Sequence, residues 1–295
     1  MSSNPFTKYL KYTLSFLPDK LYIQLYYFAR FHRLCNFAHP KTYNEKLQWL
    51  KLNDHKPIYI NMVDKSEAKR IAAKIIGKEH IIPTLAIWNN VEEINLDALP
   101  ESFVLKCTHD SEGVVVVPHK YDFDWKSAKL KLASALSKNF YSIGREWPYL
   151  GVQPRIIAEQ YMEDSELGEL RDYKFFCFNG EPKAMYIASG RQKGVTKFDY
   201  FDIDFNRLPI RQHYPNTNGD VTRPKTFDQM VEAARKLSKG IPHVRIDFYE
   251  VNGHMYFGEY TFYHFSGFMP FKPSKWDNIF GSWLELPNRQ ETRQQ

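Results

Sequence analysis

The run His243-Val244-Arg245-Ile246-Asp247-Phe248-Tyr249-Glu250-Val251-Asn252-Gly253-His254-Met255-Tyr256-Phe257-Gly258-Glu259-Tyr260-Thr261-Phe262 reads as a β-hairpin. Both arms are rich in β-branched and aromatic residues. Asn252-Gly253 is the strongest short-range hairpin signal, because a tight two-residue turn needs two left-handed backbone positions. Side chains alternate along a strand, so Val244, Ile246 and Phe248 share one face while Arg245, Asp247 and Tyr249 share the other. A cation and a carboxylate thus stand side by side. Where Glu259 points depends on the turn. A strict two-residue turn pairs Val251 with His254 and sends Glu259 to the face opposite Asp247. A three-residue loop pairs Glu250 with His254, sets Arg245 across from Glu259 and gathers Arg245, Asp247 and Glu259. In that register two carboxylates can hold Mg²⁺ through hard oxygen ligands beside nucleotide phosphates. Otherwise the face is an exposed one carrying a salt bridge of little energetic value.

Working outward, Tyr173–Phe178 and Lys183–Ala188 form a second hairpin through Asn179-Gly180, with Phe198–Phe205 as a neighbouring strand. Thr226 and Gln229 have capping-box spacing at the head of a helix with Phe227, Met230, Val231, Ala234 and Leu237 on one stripe; Gly240 and Pro242 end it. Upstream, residues 1–62 read as mainly helical, with a second capping box at Thr42 and Glu45. A helix after Asp64-Lys65-Ser66 carries Ala68, Ile71, Ala72, Ile75 and Ile76 and stops at Gly77. Ile81–Leu85 reads as a short buried strand. Phe103–Cys107 and Val114–Val117 flank a polar loop as a hairpin, a lysine-rich helix covers about 124–139, and Arg155–Met162 is a further strand. Strands dominate the second half and helices are segregated from them, which is an α+β pattern.

The chain has 295 residues, 43% hydrophobic and 25% charged, ordinary values for a folded protein, with an aromatic share of 16%. Its formal charge of +6 favours anionic ligands, but no Lys/Arg block marks a nucleic-acid binder. Cys35, Cys107 and Cys177 are scattered in no metal spacing, which points to buried thiols in a reducing cytoplasm. Pro5, Lys8, Lys11, Pro18 and Asp19 break any signal-peptide core. Leu21–Ala29 is too short to span a bilayer. A helix there packs on the body of the protein or, being aromatic-rich, lies peripherally on a membrane surface.

Lys106 stands on an apolar strand before the loop Thr108-His109-Asp110-Ser111-Glu112-Gly113. A strand-borne lysine beside such a loop can reach nucleotide phosphates while loop amides, those of Ser111 and Gly113 among them, add donors. The G-x-x-x-x-G-K-[ST] pattern is absent, so this is no Walker A loop. The strand Ile156-Ile157-Ala158-Glu159-Gln160-Tyr161-Met162 turns polar at its end, where backbone groups can bond an adenine sandwiched by Met162 and aliphatic residues.

With these segments in order, the chain resembles the ATP-grasp superfamily and, within it, the TupA-like branch, named for teichuronopeptide biosynthesis. The runs that carry the resemblance are Pro40–Trp49, Asp64-Lys65, Phe103–Cys107, Tyr173–Gly180 and Val244–Phe262, within a match over about 18–285. The resemblance implies an α+β ATP-grasp fold: a helical region over 1–62, a first lobe over 63–158 and a second over 159–287 enclosing a nucleotide cleft, and a tail over 288–295. It implies ATP and Mg²⁺ as cofactors. Lys65 and Lys106 then contact nucleotide phosphates, Glu159, Gln160, Tyr161 and Met162 form the adenine hinge, and Glu163 or Asp164 holds the ribose. Arg245 clamps the transferred phosphoryl group, Asp247 and Glu259 hold metal with Thr261 in the third position, and Lys174 and Arg191 contact phosphate or substrate. The implied reaction is carboxylate–amine ligation through an acylphosphate, joining an amine or amino acid to a uronic-acid sugar in capsule or other surface-polysaccharide assembly.

One departure stands out. The loop after Lys106 is expected to be rich in Gly, Ser and Asn, whereas Asp110 and Glu112 repel a triphosphate unless they point away or bind metal. Two rival readings follow: a nucleotide-binding protein without ligase activity, and a glycosyltransferase using Asp202-Ile203-Asp204 as a metal motif. Asp122-Phe123-Asp124 fits that pattern equally well.

Overall fold

The computed structural model describes residues 16–110, 113–191 and 194–288; Ser111, Glu112 and the tail beyond 288 lie outside them. In chain order the helices are α1 (Asp19–Phe31), α2 (Tyr43–Asn53), α3 (Ile58–Val63), α4 (Lys65–Ile76), α5 (Trp125–Leu136), α6 (Tyr141–Gly144), α7 (Phe227–Ser238) and α8 (Lys275–Trp283). The strands are β1 (Thr84–Trp88), β2 (Phe103–Cys107), β3 (Val114–Val117), β4 (Ile156–Gln160), β5 (Asp172–Phe178), β6 (Glu181–Ser189), β7 (Lys197–Asp202), β8 (Arg207–Leu208), β9 (His243–Val251) and β10 (His254–Thr261). They make two sheets, ordered β1-β4-β2-β3 and β10-β9-β5-β6-β7-β8, antiparallel throughout.

The larger sheet is covered on both faces, which is why every residue of β5 is buried. Phe175 points towards α7, meeting Phe227 and Phe248 at ring separations of 5.8 Å, while Phe176 points the other way to Phe280 of α8 at 5.2 Å. The smaller sheet packs Phe103, Leu105, Val115, Val117, Ile156 and Ala158 against Leu132 and Ala135 of α5. Alternation then turns Val104, Lys106, Ile157 and Glu159 to the opposite side.

α4 joins the two halves. Its Ala68 and Ala72 enter the larger core, while Lys69 reaches Glu159 on β4 at 2.7 Å. The capping box at the head of α2 is present as the sequence predicts, with Thr42 accepting from Glu45 N–H and Glu45 accepting in return. α2 is also locked to α8: Asn44 donates from N and Nδ2 to Asp277 Oδ1 at 2.9 and 2.8 Å. A Cβ on Gly281 would lie 2.3 Å from the Lys41 carbonyl, so only glycine lets these segments meet.

Three local expectations are corrected. Ile81–Leu85 is not a buried strand: β1 starts at Thr84, lies at a sheet edge and exposes Leu85 and Ile87. Pro83 lacks the N–H a ladder needs, so pairing begins after it. Thr226 does not form a capping box with Gln229. Its hydroxyl and N–H instead donate to Glu250 Oε2, each at 2.6 Å, so a β9 carboxylate caps α7. Third, the β9–β10 turn has two residues: Asn252 and Gly253 adopt φ 52 and 75, and Val251 pairs with His254.

Candidate active site

A two-residue turn by itself sends Glu259 to the wrong face. The ladder is reset by a bulge at Gly258: Phe257 pairs with Phe248, but Glu259 pairs with Asp247 and Thr261 with Arg245. The two carboxylates, the guanidinium and the hydroxyl therefore converge through one extra residue in β10, not through an odd-length loop. Glycine suits that position, since a Cβ there would lie 3.0 Å from the Asp247 carbonyl oxygen and 3.2 Å from the Tyr249 ring.

Asp247 is 1% exposed. Both its oxygens accept from Arg245, Nε at 2.6 Å and Nη2 at 2.7 Å, and Lys174, its direct partner on β5, donates to Oδ2 as well. Burial opposes ionisation, yet these two cations outweigh it and hold the carboxyl far below the usual range. Lys174 also meets Asp172 at 2.9 Å, and Arg191 meets Asp172 at 2.8 Å. Burial disfavours the Lys174 charge, but Asp172 and Asp247 push it up to about 12. Arg191, Asp172, Lys174, Asp247, Arg245 and Glu259 thus form a chain of alternating sign. Glu259 is its loosest member. Its side chain is 36% exposed, with Arg245 Nη2 at 3.5 Å and the Thr261 hydroxyl at 3.4 Å.

Asp247, Glu259 and Thr261 offer only hard oxygen donors on one face, and Mg²⁺ is usually held by one or two carboxylates plus substrate phosphates, so the donor set fits that ion. Among the described residues no group of three or more His, Cys, Asp or Glu could hold a metal, so any such site relies on the nucleotide for its remaining oxygens.

The smaller sheet contributes a second cluster. Glu159 accepts from Lys69 at 2.7 Å and from Lys106 at 2.6 Å. Burial raises its pKa, but the two ammonium groups outweigh this and bring it down to about 2. Lys106, Glu159, Gln160, Tyr161 and Met162 line one cleft with Ile82, Val104, Val116, Leu170 and Tyr249. Tyr249 comes from β9, so the cleft lies between the sheets. Its phenol is held well above its ordinary value by Asp172 first, then by burial, Glu259, Asp247 and Glu159. Tyr249 shares its face of β9 with Asp247 and lines the cleft with Glu159, so it stands between the two clusters.

The remaining sequence-predicted residues take varied places. Lys65 heads α4, and its ammonium donates to the Asp110 carbonyl of the loop after β2. Asp110 turns its carboxylate inward, accepting from Gly113 N–H at 2.9 Å, which occupies the Gly113 amide and aims the acid away from the cleft. Asp164 caps its own turn and accepts from Asn252 N–H at 2.8 Å, leaving Glu163 as the exposed acid beside Tyr161. Both D-x-D runs are local caps. Asp202 accepts from the N–H groups of Asp204 and Asn206, and Asp124 caps α5 through Ser127.

Sequence reading missed Lys69, one helical turn after Lys65, and Asp172, which stands two residues before Lys174 as Arg245 does before Asp247. It also missed a buried support behind Arg245. His264 Nδ1 accepts from Arg245 Nη1 at 2.8 Å while His264 Nε2 meets Gln212 Oε1 at 2.8 Å; burial, then Arg245, keep the imidazole neutral. The next residues, Phe265 and Ser266, are left-handed at φ 47 and 54, a strained pair. Lys51, 1% exposed, donates to the Ser266 and Gly144 carbonyls at 2.6 Å each, while Glu146 accepts from the Ser266 hydroxyl. No pairing of distant residues of this kind is readable from spacing.

The sequence model of the TupA-like ATPgrasp family matches residues 45–285. No curated protein matches the chain. Among solved structures, a D-alanine–D-alanine ligase from Helicobacter pylori is 16% identical at a TM-score of 0.41, over 82% of this chain and 69% of that one. A D-alanine–D-alanine ligase from Bacillus anthracis is 14% identical at 0.40, over 73% of this chain; the match spans 63% of that enzyme's length. An N5-carboxyaminoimidazole synthase from Aspergillus clavatus, in complex with ADP and 5-aminoimidazole ribonucleotide, is 12% identical at 0.40, over 76% and 51%.

Proposed function

The chain belongs to the TupA-like ATP-grasp family, and on that premise we propose that it is an ADP-forming carboxylate–amine ligase. What supports this reading above all is the pairing of Glu259 with Asp247 on the face that carries Arg245 and Tyr249, because Tyr249 lines one cleft with Lys106 and Glu159. The lobes are taken as 63–158 and 159–287. The substrates are taken as a uronic-acid carboxylate and an amine or amino acid in bacterial surface-polysaccharide assembly, in the cytoplasm.

In this reading the adenine lies among Val104, Val116, Met162 and Leu170, with the Gln160–Met162 backbone at its edge. Glu159 keeps Lys106 charged and aimed along the cleft towards the phosphates, and Lys69 holds Glu159. The substrate carboxylate oxygen attacks the γ-phosphorus, ADP departs, and an acylphosphate forms. The amine nitrogen then attacks the acyl carbon, loses a proton, and inorganic phosphate leaves. Arg245, backed by His264, stabilises charge on the transferred phosphoryl group, and Lys174 and Arg191 hold the acceptor side, where oriented cations are worth most. Asp247, Glu259 and Thr261 would hold Mg²⁺, which supplies charge neutralisation on the phosphates.

The test is product release from ATP, Mg²⁺, a uronic-acid glycan and mixed amino acids. ADP and phosphate should accumulate only when carboxylate and amine are both present; ADP release indifferent to every carboxylate would argue against ligation. A nucleotide-binding protein without turnover is the second reading, favoured by the occupation of both Asp247 oxygens by Arg245 and Lys174. It predicts ATP binding with no ADP under any substrate pair.

A further inference from the structure

We propose that α1 docks the protein on an anionic lipid bilayer. α1 buries Tyr22, Ile23 and Tyr27 in a small cluster with Cys35 and Phe268, which fixes it to the body of the protein. Its outer side is apolar too. Leu21, Leu25 and Phe28 are 47%, 45% and 51% exposed, and their i, i+4, i+7 spacing makes one stripe. Phe16 and Leu34, just before and just after the helix in sequence, are exposed as well, at 78% and 64%. Five of the fourteen large exposed hydrophobics among the described residues thus fall between positions 16 and 34. An apolar concentration of that kind marks an interaction site.

Charge identifies the partner. Residues 16–41 contain four basic side chains, Lys20, Arg30, Arg33 and Lys41, against the single acid Asp19, a balance of +3 that is half the +6 of the whole chain. Arg33 is paired with Glu45, but Lys20 and Arg30, at the two ends of α1, are exposed. Lys20 lays its ammonium 5.8 Å over the Phe37 ring, and Arg30 donates from Nε to the Phe268 carbonyl at 3.1 Å, so both cationic heads rest on the protein surface while the residues stay exposed to solvent. A second copy of the chain would bring like charge against like charge. An anionic bilayer accepts both properties, apolar side chains at the acyl boundary and cations among the headgroups. Among the described residues no helix is long and apolar enough to cross a membrane, so the contact is at the surface.

Vesicle co-sedimentation of the full chain tests this, independently of any catalytic activity. The wild-type protein should bind phosphatidylcholine vesicles containing phosphatidylglycerol, much less to phosphatidylcholine alone, and release as salt rises. Leu25→Asp with Phe28→Asp should weaken binding by about tenfold or more, the loss expected for two unburied side chains. Both side chains are exposed, so an unchanged thermal midpoint checks the fold. Binding that ignores this double variant, or no binding to either vesicle, would overturn the assignment. So would a concentration-dependent dimer that the same variant abolishes.

Discussion

Glu259 stands directly across the ladder from Asp247, and Gly258 is the additional residue that puts it there. The two carboxylates share a face only because β10 is one residue longer than its partner at that point. Arg245 bridges them, bidentate to Asp247 and 3.5 Å from Glu259.

Gly258→Val tests the bulge. Its Cβ would press on the Asp247 carbonyl oxygen at 3.0 Å, and relieving such a contact costs about 1–3 kcal/mol. Calorimetry should show a lower thermal midpoint together with lost nucleotide affinity. Wild-type ATP binding in this variant would separate the bulge from the site.

Asp247→Asn and Lys106→Ala should both abolish turnover, yet differ in stability. The first leaves the buried Arg245 without its bidentate anion, while Lys174 keeps only Asp172, a loss of about 3–5 kcal/mol. The second leaves Glu159 still paired with Lys69 and should unfold closer to wild type. Urea unfolding of the two proteins measures the contrast, and equal stabilities would contradict the buried network.

Glu159 gives an acid-side signature. Its folded pKa of about 2 lies below its ordinary value, so its contribution is present above about pH 4.5 and lost as pH falls towards 2. Wild type should therefore lose more stability over that window than Glu159→Gln. Parallel curves would show that Lys69 and Lys106 do not hold the carboxylate.

Lys51 gives the opposite case. Burial, partly offset by Glu146, lowers its ammonium to about 7. The folded state then binds fewer protons than the unfolded one between about pH 7 and 10, so stability rises with pH there, by at most about 1.4 kcal/mol per unit. Lys51→Met should lack this rise. A wild-type curve that is flat or falling relative to Lys51→Met would place the ammonium's pKa in the ordinary range.

The strands were legible because the informative patterns are local. Asn252-Gly253 and Asn179-Gly180 set their turns, and the alternation of Arg245 and Asp247 set their face. The bulge was not legible, since a glycine followed by a glutamate carries no signal until the Tyr249 ring and the Asp247 carbonyl crowd it. Asp110 illustrates the same limit: its sign is plain from sequence, but its direction is fixed by a bond to its own loop. Lys69 was within reach, as the buried-side lysine one turn past Lys65. Lys51, Glu146 and Ser266 were not, because packing alone brings them together.

The lock between Asn44 and Asp277 has a consequence for how the chain is made. Its partners are separated by 233 residues. At about 5–20 residues per second, a ribosome needs on the order of ten seconds or more to deliver the second after the first. Through that interval Tyr43 of α2, buried in the finished molecule, can meet Phe176 and Phe178 but not Phe280, the ring that α8 supplies. The N-terminal helix α2 therefore reaches its final seat only after almost the whole chain has been made, so its packing closes the fold rather than starting it.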